Sequence, residues 1–103
     1  MDNISINKIA SAISRGEAKD IIDLTTLFME KKLPDFLHLY EKAMQREALL
    51  EYWEYVLAFF DHIVENAEAI VSETKNDLLQ VLFPADVISA FSFFEKELRS
   101  KIQ

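Results

Sequence analysis

Lys8 and Arg15 stand seven residues apart. Seven steps of ~100° fall only about 20° short of two turns, so a helix here carries both cations on nearly one face. Gly16 follows at once. Glycine tolerates the left-handed conformation that closes a helix, and the chain can then turn directly into a second helix bearing Asp20 and Asp23 three residues apart. Lys19 adds a third cation beside them. Cations and carboxylates meeting at one tight corner suit the handling of a phosphate group. The same residues also suit a plain structural corner, in which solvated ion pairs contribute ~0.2–1 kcal/mol each.

The elements that must position these groups are helices. Asn3 or Ser5 can cap the first, and Ile6, Ile9, Ala10 and Ile13 recur at three- and four-residue spacing as its buried stripe, with Lys8, Ala12 and Arg15 on another side. The second, over about residues 17–31, buries Ile21, Leu24, Leu27 and Phe28. Asp20 and Asp23 flank that apolar side near the helix start, where a carboxylate gains ~0.3–1 kcal/mol from the dipole without any ligand. Lys31 and Lys32 suit the end of this helix, and Pro34 suits the first turn of a third over about 34–46, with Leu33, Phe36, Leu37, Tyr40, Ala43 and Met44 as its core stripe.

A central helix is predicted over about residues 48–71, since Leu49, Trp53, Val56, Phe60, Ile63, Ala67 and Ile70 keep one face. Around Tyr55–Phe60 it is apolar nearly all round, which requires contact on several sides by other helices or a partner chain. Tyr52, Trp53 and Tyr55 are therefore candidate partner-interface residues, burial inside the monomer being the more ordinary fate of such side chains. Residues 72–77 read as a turn leading to a short helix with Leu78, Leu79, Val81 and Leu82. A last helix begins at Pro84 and buries Val87, Ile88, Phe91, Phe94 and Leu98. The expected architecture is all-α, a single compact bundle of five or six helices forming one domain over residues 1–103.

The run Lys8, Arg15, Lys19, Asp20, Asp23 and Leu24, with an alanine at Ala10 or Ala12 one position out of step, resembles the segment that follows the catalytic core in AbiEii-family nucleotidyltransferase-like proteins, the type IV toxins of toxin-antitoxin and phage-defence systems. Leu57-Ala58-Phe59-Phe60-Asp61-His62 matches a later family stretch only in part. The resemblance implies that Lys8, Asp20 and Asp23 belong to a catalytic face, and that Lys8, Arg15 and Lys19 bind nucleotide. Lys8 would neutralise phosphate charge with Arg15 in support, and Asp20 or Asp23 would orient the lysine or assist the nucleophile. Family members carry a glycine-serine motif and paired metal-holding acids ahead of this segment. With a single glycine and seven residues before Lys8, this sequence is not expected to supply them. The expectation is thus a helical part inactive alone. It needs no cofactor by itself, and magnesium and a nucleoside triphosphate enter only with a catalytic core supplied in trans. The alternative is a helical protein-protein interaction or oligomerisation module with no nucleotide role, partnered by another protein or a second copy.

Composition narrows the rest. Eighteen acidic against 11 basic side chains leave a formal charge of −7, which repels polyanions and counts against direct nucleic-acid or anionic-membrane binding. The absence of cysteine removes disulfides, thiolate catalysis and cysteine-zinc sites and agrees with a cytoplasmic location. The longest apolar run, Tyr55–Phe60, is far too short to span a membrane. His38 with Glu41, and His62 with Glu65, share the three-residue spacing of half a helical metal site. Carboxylate-bridged bundles use the reverse order with further glutamates, so no metal is assigned. No nucleophile elbow flanks any serine, and Arg46 and His62 lie too far apart for the arginine-histidine spacing of helical endoribonucleases.

Overall fold

The computed structural model describes residues 2–74 and 82–102. Over these the chain forms six α-helices and no strand: α1 (Asp2–Arg15), α2 (Ala18–Glu30), α3 (Leu33–Arg46), α4 (Trp53–Glu65), α5 (Ala67–Thr74) and α6 (Pro84–Ile102), with a 3-10 turn at Leu49–Tyr52 before α4. The all-α bundle expected from the periodicity is what forms. No described helix is long and apolar enough to cross a membrane.

The longest pairing is α4 along α6, while α1 packs on α2 and α3, and α2 also meets α5 and α6. Phe94 of α6 sits where these elements converge. Its ring stacks on Phe36 at 5.4 Å and Tyr40 at 5.6 Å, and meets Phe91 and Phe28 edge-on at 5.0 and 5.3 Å. Offset and edge-to-face pairs of this kind add about 0.5–1.5 kcal/mol each to plain burial. The Tyr40 hydroxyl donates a long 3.4 Å bond to the Phe94 carbonyl, and burial, with the Glu97 charge behind it, pushes this phenol upward. At the rim, Lys101 of α6 donates to Glu41 of α3 at 2.6 Å. That hydrogen bond and charge hold the Glu41 carboxyl below its usual range, so the tie stands at neutral pH and is lost on acidification.

Expectation and structure part in several places. First, the central helix does not run unbroken from 48 to 71. Ala48 adopts a left-handed conformation (φ 52°), the 3-10 turn follows, and α4 stops at Asn66, whose backbone N–H and side-chain amide both donate to the His62 carbonyl at 3.1 and 2.8 Å. An asparagine side chain that competes for a helix carbonyl favours termination. Second, α1 is packed by α2 and α3 together, so Ala12 is fully buried with the isoleucines instead of lying out with Lys8 and Arg15; α1 is already helical at Asp2, which leaves Ser5 inside the helix rather than capping it. Third, Leu33 and Ile88 are exposed, and Leu27 and Phe28 only half-buried. Ser72–Thr74, read as a turn, complete α5, and the predicted turn and short helix beyond them lie outside the described residues apart from Leu82, which is buried.

Ala48 holds a backbone that strongly favours glycine at the residue just past a helix end. Ala48→Gly is expected to stabilise the chain by about 0.5–1 kcal/mol, read as a higher urea midpoint at unchanged slope.

Candidate functional site

The buried faces of α1 and α2 determine where their charges point. Ile6, Ile9, Ala10, Ala12 and Ile13 seat α1, and Ile21, Ile22 and Leu24 seat α2. Between them Gly16 takes φ +68°, and its N–H closes α1 on the Ala12 carbonyl at 3.2 Å. Two residues later α2 begins. Phe59 of α4 lies against this turn, and a β-carbon on Gly16 would stand 2.6 Å from its ring.

This corner brings all the sequence-predicted charged residues to one place. Lys8, Arg15, Lys19, Asp20 and Asp23 line one open cleft of about 460 Å³, together with Ile4, Asn7, Ser11 and Glu17. Across the hinge, Arg15 Nη2 donates to Asp20 Oδ1 at 3.4 Å. The two partners differ sharply in exposure, 14% for the Asp20 side chain and 61% for Arg15, so the carboxylate is the fixed post and the guanidinium the free end. Asp20 Oδ2 is buried and accepts no hydrogen bond from a described residue. Among the described residues no carboxylate lies within 4.0 Å of the Lys8 or Lys19 ammonium.

Three cations and three carboxylates (Glu17, Asp20, Asp23) line the cleft, which makes it formally neutral. Glu17 sits at the N-cap of α2 without capping through its side chain, so the first amides of α2 remain available beside Asp20. Such a lining suits an anionic ligand held by the cations and the amide end. Asp20 Oδ1 is engaged by Arg15, and among the described residues no group of three or more His, Asp or Glu side chains is gathered closely enough to hold a metal ion.

Sequence reasoning missed Ile4, Asn7, Ser11 and Glu17. A signal for two of them existed, since Ile4 and Ser11 stand four residues before and three after Lys8 on the same helix face. The histidines lie elsewhere: His62 meets Asn66 at 3.3 Å, and Glu41, the partner suggested for His38, is bound by Lys101.

No family model, curated protein or solved structure matches the chain.

A second exposed feature lies at the start of α4. Tyr52, Trp53 and Tyr55, the candidate interface residues, are 61%, 38% and 63% exposed, contrary to the ordinary expectation of burial inside the monomer. Tyr52 closes the 3-10 turn and Trp53 and Tyr55 stand in the first turn of α4, whose core positions are taken by Val56, Leu57 and Phe60.

Proposed function

We propose that this chain is the helical part of a nucleotidyltransferase-like protein resembling the AbiEii family, and that its α1–α2 corner faces the phosphates of a nucleotide held by a catalytic core. In this reading Lys8 and Lys19 neutralise phosphate charge, Arg15 extends over the same ligand, and Asp20 positions Arg15, with Asp23 beside them on the same cleft. Metal-holding acids belong to the core, not to this corner. The observation that carries the reading is the convergence of Lys8, Arg15, Lys19, Asp20 and Asp23 on one cleft across a glycine hinge.

A titration of the chain with inorganic triphosphate, followed by amide NMR, tests it. Shifts are expected to concentrate on residues 8–23 with a dissociation constant of about 1 mM, corresponding to roughly −4 kcal/mol. The pair Lys8→Ala with Arg15→Ala is expected to weaken binding about two- to thirtyfold, since each exposed charge contributes ~0.2–1 kcal/mol. Shifts spread evenly over Lys31, Lys42 and Lys96, or indifferent to these substitutions, would remove the cleft as a phosphate site.

The exposure of Tyr52, Trp53 and Tyr55 favours a second reading, a helical interaction module. Partner binding that survives Lys8→Ala and Asp23→Ala but not Trp53→Ala selects it.

A further inference from the structure

The aromatic corner carries its own electrostatic signature. Its shallow cleft of about 250 Å³ is lined by Glu51, Tyr52, Trp53, Glu54 and Tyr55, three aromatics interleaved with two carboxylates and no cation. The chain as a whole carries −7. Exposed aromatic faces flanked by carboxylates attract guanidinium and ammonium groups twice over, through the ring quadrupole and through the opposite charge. The backbone that presents them is strained, because Ala48 at the head of the 3-10 turn holds φ 52° without being glycine.

We propose that this corner docks a segment of a partner protein that carries arginine or lysine beside apolar side chains. The proposal rests on the interaction reading and adds what the partner must present; it stands whether or not the α1–α2 cleft meets a nucleotide. Basic side chains lie across the rings of Trp53 and Tyr55 and reach Glu51 and Glu54, while the partner's apolar residues cover the rest of the aromatic surface. Charge complementarity selects this occupant over a second copy of the chain, whose equivalent corner has the same sign.

Trp53 is the only tryptophan, so intrinsic fluorescence reads the corner directly. The probe is a synthetic leucine-arginine peptide of about ten residues, compared with its counterpart in which glutamine replaces every arginine. The arginine peptide is expected to perturb Trp53 emission with at least about tenfold tighter binding, a preference that narrows as salt shortens the screening length. Glu51→Gln with Glu54→Gln is expected to weaken it about tenfold, as is Tyr52→Ser with Tyr55→Ser. All four positions are exposed, so thermal unfolding of these variants should match the parent. Lys8→Ala is expected to leave the affinity unchanged. Equal affinity for the glutamine peptide would overturn the basic-partner assignment while sparing the interaction reading. No response to either peptide, a loss of binding in Lys8→Ala, or a concentration-dependent dimer abolished by Trp53→Ala would each overturn the proposal.

Discussion

Phe94→Ala is expected to lower the unfolding free energy by about 3–5 kcal/mol, the range for deleting a fully buried aromatic ring that its neighbours cannot replace. Phe94 is completely buried, and its ring touches those of Phe28, Phe36, Tyr40, Phe60, Phe91 and Phe93, contributed by α2, α3, α4 and α6. Most of these neighbours are rigid and are themselves buried, so collapse into the space left behind requires several helices to shift together. Domains of this size hold roughly 5–15 kcal/mol in total, which makes this one substitution a large fraction of the whole. Urea unfolding checks it. A loss below about 1.5 kcal/mol would mean that the core is not centred on this ring.

Gly16→Ala is expected to destabilise the chain by about 2–5 kcal/mol, for two separable reasons. The left-handed backbone at φ +68° disfavours any β-carbon by about 1–2 kcal/mol. The new methyl would also press on Phe59, 2.6 Å from Cε1 and 3.1 Å from Cζ, adding roughly 1–3 kcal/mol of overpacking unless the ring turns aside. A double-mutant cycle with Phe59→Ala separates them: removing the ring should recover the steric part and leave the backbone part. Full additivity would mean that the ring gives way freely. Gly16→Ala should also open the Arg15–Asp20 contact and weaken triphosphate binding more than a change in stability alone explains, because both sides of the cleft are indexed by this hinge.

The helices flanking Gly16 were legible because each carries an unambiguous stripe at helical spacing, and the isoleucines of α1 and the Ile21–Leu24 face of α2 are buried as their periodicity predicts. The charged corner was legible for the same reason: a face once seated determines where the opposite face points. The break at Asn66 was not, since a continuous apolar face from Leu49 to Ile70 reads identically whether or not the backbone is interrupted beneath it. Local competition for the His62 carbonyl produced it.

Residue order alone determined the all-α class, the helix ends at Gly16 and Pro84, and the partition of most side chains between core and surface, because these follow from local propensity and from apolar spacing along one segment. Only the tertiary structure decided which side chains a helix buries when two neighbours cover it, as for Ala12, and which aromatics no other segment covers, as for Tyr52 and Tyr55. Those outcomes depend on contacts between segments far apart in the chain, and no periodicity within one segment contains that information.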